Sequence, residues 1–533
     1  MKTLYYNGTV YPGALPAVSA FAVENGRFCF AGSDADGFSL GCEERIDLRG
    51  RFVCAGFNDS HMHLLGFGMA LSQADLASHS GSLQEMLAFL KEFAAAAPPG
   101  AWIRGRGWNQ DYFTDVCRMP DRRDLDAVFP DRPVVLIRAC GHCLVANSKA
   151  LSLCGITADT VFSGSGRIGR EESGEPSGLF FEDAMLLVTG RIPVPDKASV
   201  KEMLRRACRA LNGFGITAVQ SDDFSALRSL SRQTVIEAFR ELEAEGGLTV
   251  RVYEQSNIPD LEELKRFLAE GGMTGNGSGL FRFGPLKLIA DGSLGARTAY
   301  LSAPYADDPS SRGTPVFTQE ALEELIGFAH AQGMQIAVHA IGDAALDQVL
   351  DAVEKAQRAF PRADCRHGVV HCQVSRPDQL RRLAALGMHI YAQSIFLDYD
   401  IRIVPRLLGP ERAASSYSWK TLSDLGCSVS NGSDAPVELP DVMAGIQCAV
   451  TRCTLKDDLG PYLPDQAFSV REAIDSYTLA GAYAAFEDPV RGRIRPGHYA
   501  DFTVLSRDPF ETAPFSLKDI RAEATYLAGE RVF

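Results

Sequence analysis

Short apolar runs alternating with longer helical patterns constrain this chain more than any other feature. Phe52-Val53 leads through a glycine into His61, and further runs follow at Gly215–Ser221, Leu248–Glu254, Gly284–Ala290, Gln335–His339, Gly368–Cys372, His389–Gln393 and Ser428–Gly432. Helical patterns at Ser199–Asn212, Thr234–Glu245, Gln319–Gln332, Ala344–Ala359 and Pro377–Leu386 separate several of them. Apolar strands joined by helices indicate a parallel sheet, because parallel neighbours need a long crossover connection. Eight such units close into a (β/α)8 TIM barrel, an α/β fold whose chemistry sits at the C-terminal ends of its strands.

The connection after the first strand, about residues 64–214, is too long for one crossover. It must hold an inserted lobe, about 78–195, with Trp102–Asp111, a strand at Pro133–Arg138 and the segment Gly141–Leu151. Long insertions on the catalytic face of a barrel shape substrate pockets. The two ends of the chain share a different texture. Leu4–Tyr6 runs into Asn7-Gly8 and Ala20–Val23 into Asn25-Gly26, both hairpin signals, while Ala500–Leu505 and Ala524–Phe533 are strand-like. Neither end can build a core alone, so residues 1–54 and 490–533 are expected to pair as one small β-sandwich beside a barrel of residues 55–489.

The polar residues that end the strands carry the chemistry. His61 and His63 stand two apart, so on a strand they face one point. The fourth run carries Lys287, the fifth ends in His339, the sixth in His371 and the eighth in Asp434. Singly each has a structural explanation: a strand lysine can pair with an acid, Asp343 suits a helix N-cap, and Asp434-Ala-Pro suits a turn. Together they place four imidazoles, an amine and a carboxylate around one mouth of one barrel, a donor set suited to divalent metal.

The motifs Ala55-Gly-Phe-Asn-Asp-Ser-His-Met-His63, Gly105-Arg-Gly-Trp-Asn109, Cys140-Gly-His142 with Asn147-Ser-Lys-Ala-Leu151, Lys287 through Ala299, Val338-His-Ala-Ile-Gly-Asp343, Gly432-Ser-Asp-Ala-Pro-Val437 and Gly492 through Asp501 span nearly the whole chain. In them the chain resembles the metal-dependent amidohydrolase superfamily, in the branch called amidohydrolase family 3 or YtcJ-like. The resemblance implies that His61, His63 and Asp434 hold one metal and His339 and His371 a second. It implies that Lys287, carbamylated by carbon dioxide, bridges them. Zn2+, as one or two ions, suits such nitrogen and oxygen donors. It further implies Asp434, Lys287 and His371 as the catalytic group, with metal-activated hydroxide as nucleophile and Asp434 as general base. Asp59 completes the D-x-H-x-H spelling and is expected to orient a ligand. Trp108, His142 and Asn147 match motifs of the lobe and are placed near the substrate. Arg297 is placed on a substrate carboxylate. Ala55, where relatives commonly have proline, and Cys372 depart from the pattern without removing a ligand. His79, His330, His367, His389 and His498 fall off it and read as surface or structural.

A net charge of -14 and a pI near 5.3 argue against nucleic acid or an anionic membrane as partner. The 13 cysteines are scattered among apolar neighbours, as in a reducing compartment. No signal-peptide h-region opens the chain and no run approaches the roughly 18 apolar residues of a membrane helix. The expectation is a cytoplasmic enzyme acting on a small molecule, with a homodimer as the assembly considered. Cys140-Gly-His-Cys143 has the spelling of a thiol–disulfide exchanger, but it lies in an insertion and is covered by the family's Gly-His…Asn-Ser pattern. The expected reaction is hydrolysis of a C–N bond in an N-acyl or N-formyl amide or related cyclic amide. The alternatives are deamination of a heterocycle on the same site, or a binding protein that has lost its chemistry.

Overall fold

The computed structural model describes residues 1–533 except 14, 15, 99, 141, 165 and 228. Two compact units are present: Met1–Phe67 with Lys197–Phe533, and Gly68–Asp196.

The larger unit holds the barrel. Its strands are β1 (Phe57–Met62), β2 (Ile216–Ser221), β3 (Arg251–Asn257), β4 (Phe281–Ile289), β5 (Ile336–Ala340), β6 (Gly368–His371), β7 (His389–Ala392) and β8 (Val429–Asn431). Each is parallel to the next in chain order. The last returns to the first: the Asp434 amide donates to His61 O at 2.8 Å, and Ser433 donates to Asp59. All eight expected strands are found. The third starts later than expected, because Leu248–Val250 stay outside the ladder, and the fourth starts earlier, with Phe281 already paired to Val252. Two glycines permit close packing under the mouth. A Cβ on Gly56 would fall 2.2 Å from Thr217 Oγ1, and one on Gly432 would fall 2.5 Å from His61 N. Helices Lys197–Gly213, Arg232–Ala244, Gln319–Ala331, Asp343–Ala359 and Pro377–Ala385 cover the expected positions. Asp343 is the first helical residue rather than the cap, which is Gly342.

Four histidines off the pattern, His330, His367, His389 and His498, are buried in this scaffold. Burial pushes the pKa of His367 and of His389 down to about 3. In the unfolded chain such rings protonate near about 6.5. Between these values the unfolded state binds more protons, so their contribution is intact above about pH 6.5 and declines as pH falls toward 3. His389 Nε2 lies 2.7 Å from Ser430 Oγ. His389→Gln should therefore narrow the gap between urea midpoints measured at pH 7 and pH 5; an unchanged gap contradicts this account.

The two ends of the chain form the sandwich as expected. One sheet runs Arg27–Gly32, Ala20–Glu24, Lys2–Tyr6, Glu44–Asp47; the other runs Thr9–Val10, Phe52–Ala55, Phe502–Leu505, Ala522–Leu527, Glu530–Arg531. Tyr5, Phe21, Phe28, Val53, Phe502 and Val504 fill the core between them. Asn25-Gly26 makes the expected two-residue hairpin, with φ of +52° and +74° and Glu24 opposite Arg27. Asn7-Gly8 does not. Asn7 takes φ +58°, but the turn carries the chain from one sheet to the other, so its flanking strands never pair.

The smaller unit begins ten residues before the expected lobe, because Ala74–Asp75 pairs with Ile103–Trp108 as the edge of the lobe's own sheet. That sheet has six strands, ordered Gly166–Arg170, Pro176–Glu182, Cys143–Ala146, Val134–Arg138, Ile103–Trp108, Ala74–Asp75. Gly141, which opens the segment expected at 141–151, lies outside the described residues.

Candidate metal centre

The C-terminal ends of the barrel strands bring the six predicted ligands together. Asp434 Oδ1 lies 3.1 Å from His63 Nε2 and 3.5 Å from His61 Nε2. Lys287 Nζ is 3.4 Å from His61 Nε2. The ligand atoms of His61, His371 and Asp434 lie within 4.8 Å of one another, and the His339 ring is 4.4 Å from that of His371.

Hydrogen bonds on the far side of each ring set which nitrogen faces inward. His61 Nδ1 meets Gln255 Oε1 at 2.7 Å, His371 Nδ1 meets Gln393 Oε1 at 2.7 Å, and His63 Nδ1 meets Asp222 O at 2.9 Å. These oxygens only accept, so each Nδ1 donates and each Nε2 is left for the centre. His339 is turned the other way: Nε2 is 3.1 Å from Gly292 O and 3.3 Å from Asp291 Oδ1.

The electrostatics fit a cation. Asp434 is buried, and its Oδ1 makes no hydrogen bond of good geometry among the described residues. Burial would raise its pKa, but His63, His61 and His371 outweigh that and hold it well below the carboxylate range. Burial likewise works against charge on His63, yet Asp434 and Asp222 carry its pKa up to about 9. His61 and His371 are driven well below their ordinary value, chiefly by burial. Burial also lowers Lys287, against the pull of Asp222 and Asp434. The donors, their burial and the unsatisfied carboxylate oxygen fit a divalent metal.

The backbone is strained at the same place. His371, Cys372 and Asp434 take φ of +76°, +49° and +58°, conformations that cost side-chain-bearing residues about 1–3 kcal/mol each and that cluster at functional sites. Trp419 Nε1 donates to His371 O at 2.9 Å and Phe396 stacks on the ring at 5.9 Å, so packing holds the strained residue in place. Asp59 orients no imidazole. It accepts from Ser433 N and Oγ and from His61 N, tying the ends of β1 and β8 together, and its own pKa is pushed by burial up to about 7.

The expected substrate residues fare differently. Trp108 is fully buried in the lobe core with Leu76, Leu90 and Leu136, and its indole donates to Leu136 O at 3.0 Å, so it has no surface to offer. Asn147 is fully buried and its amide is saturated: Oδ1 accepts from Val134 N and Ala150 N, and Nδ2 donates to Phe129 O and Arg132 O. It caps a helix and pins a loop. His142 is exposed and sits 2.9 Å from Glu182 Oε2. Arg297 grips Asp307 with two bonds, 3.2 and 2.6 Å, so the loop after β4 is what it anchors. Cys140 is exposed and Cys143 buried, both as free thiols.

Sequence reasoning missed Gln255, Gln393 and Asp222. Gln255 lies near the end of β3, and Gln393 and Asp222 directly follow β7 and β2, the three strands on which no ligand was predicted. A second group, His330, Cys365 and His367, also clusters. There His330 Nε2 donates to Phe360 O, His330 Nδ1 meets His367 Nε2 at 2.8 Å, and His367 Nδ1 accepts from Ile336 N. Every ring nitrogen is committed, so this cluster reads as a hydrogen-bonded strut.

A closed parallel barrel with this donor set at its mouth defines a metallohydrolase barrel. The chain belongs to the amidohydrolase family, whose profile matches residues 44–533. It is 35% identical to YtcJ of Bacillus subtilis (strain 168), over 100% of this chain and 99% of that one. It is 27% identical to the N-substituted formamide deformylase of Arthrobacter pascens, over 96% and 94%. The crystal structure of a metal-dependent hydrolase from Pyrococcus horikoshii OT3 superposes with a TM-score of 0.79 at 30% identity, covering 96% of this chain and 99% of that one. The protein is thus an enzyme, a hydrolase of carbon–nitrogen bonds other than peptide bonds.

Proposed function

We propose that this enzyme hydrolyses a small N-acyl or N-formyl amide, or a related cyclic amide, at a divalent metal centre held by His61, His63, Lys287, His339, His371 and Asp434. Zinc is the ion that this mix of nitrogen and oxygen donors suits. The reading is carried by Asp434, a buried carboxylate set among three imidazoles, whose Oδ1 makes no hydrogen bond of good geometry among the described residues. The similarity to a formamide deformylase supports the choice of amide. A bound divalent ion would polarise the amide carbonyl and lower the pKa of water at the site. Asp434 takes the proton of the attacking water and passes it to the leaving nitrogen, so the amine departs neutral. Burial lowers the pKa of Lys287, which favours the neutral amine that carbamylation by carbon dioxide requires. The hydrogen bonds to Nδ1 of His61, His63 and His371 leave Nε2 of each ring to face the centre.

The test is a panel of N-formyl and N-acyl amines offered to zinc-loaded protein. Release of free amine is expected, stopped by a chelator and restored by metal. Release of ammonia from heterocyclic amines with the amides untouched would reassign the reaction to deamination. No turnover of either class overturns the reading.

A further inference from the structure

Two glutamines, on strands that supply no ligand, meet two of the ligands in the same way. Gln255 reaches from β3 to His61 Nδ1 and Gln393 from β7 to His371 Nδ1, each at 2.7 Å and each fully buried. Both amides are themselves pinned. Gln255 Nε2 donates to Ser60 O at 3.3 Å and Gln393 Nε2 to Tyr391 O at 2.9 Å. With the NH2 end committed to a carbonyl, only the oxygen can face the imidazole, and an oxygen there admits only the ring form with its proton on Nδ1. The third inward-facing ring, His63, has a main-chain oxygen in the same role. A carboxylate would also accept from Nδ1, but it has no N–H for Ser60 O or Tyr391 O, it would add negative charge to a buried site that already holds Asp434 and Asp222, and it would make the imidazoles more basic.

We propose that Gln255 and Gln393 are positioning residues that hold His61 and His371 in the one tautomer able to give Nε2 to a metal, and that their neutrality keeps the centre a strong Lewis acid. The inference rests on the metal-dependent reading above. It separates two effects: losing the acceptor weakens metal binding, whereas charging it weakens turnover.

The experiment measures Zn2+ affinity by chelator competition for the parent and for Gln255→Leu, Gln393→Leu, Gln255→Glu and Gln393→Glu, with circular dichroism and urea midpoints as controls for folding. The leucine variants should lose about 10–100-fold in affinity. The glutamate variants should hold zinc at least as tightly as the parent and turn over more slowly at saturating metal. Should a leucine variant fail to fold, Gln→Met, similar in shape and without an acceptor, takes its place. Leucine or methionine variants that bind within about threefold of the parent overturn the inference, as do glutamate variants that lose as much affinity as leucine. A parent that binds no transition metal overturns the metal-dependent reading itself, a result distinct from tight binding shared by parent and variants.

Discussion

Asp434→Asn is expected to lower kcat by about 10²–10⁴-fold, the range a positioned general base contributes. The amide keeps the shape of the side chain and one oxygen toward the centre but cannot take up a proton. KM for an amide substrate should move far less than kcat, because the lost interaction belongs to proton transfer and not to substrate binding. The same substitution removes the charge that raises His63, so zinc, measured by elemental analysis beside the parent, serves as the control that the centre is still filled. Turnover within tenfold of the parent, with zinc retained, would remove Asp434 from the role of base.

The second large effect concerns stability. Arg251 on β3 makes two bonds to Asp501 at the start of the C-terminal sandwich strands, 2.7 and 3.1 Å, with both side chains nearly free of solvent. Asp501 also accepts from Ala528 N, and Arg251 stacks over the Tyr499 ring at 4.1 Å. Asp501→Ala leaves a buried guanidinium without its counter-charge and should cost about 3–5 kcal/mol, read as a lower urea midpoint. Replacing both partners by apolar residues, Arg251→Met with Asp501→Leu, should recover most of that loss, since the penalty lies in the unpaired charge. A single variant within about 1 kcal/mol of the parent would show the pair to be dispensable.

The barrel was legible because its evidence is periodic: a buried parallel strand must be apolar throughout, and a crossover helix must be amphipathic. The ligands were legible because strand ends are the only places where a barrel tolerates several polar side chains facing one point. Their supporting residues were harder to see. Gln255 and Gln393 are uncharged, and nothing in their flanking residues distinguishes a glutamine that orients a ring from one that fills a strand end. Trp108 and Asn147 misled for a related reason. Their motif fixes position in the sequence, but an indole wholly enclosed and an amide with every hydrogen bond spent can be recognised only once their neighbours are known. The Asn7-Gly8 turn showed the same limit at the backbone: the dipeptide dictates a left-handed turn, while the sheet each arm joins is decided by residues hundreds of positions away.

That remoteness bears on how the enzyme is made. Phe52–Ala55 pairs along its length with Phe502–Leu505, so one edge of an early strand has no mate until the far end of the polypeptide leaves the ribosome. At ordinary rates of synthesis that wait is roughly half a minute or more, during which a bare apolar ribbon is open to wrong partners. Yield in a cell should therefore respond to chaperone supply, and to fusions at the C-terminus, more sharply than the stability of the finished molecule would suggest.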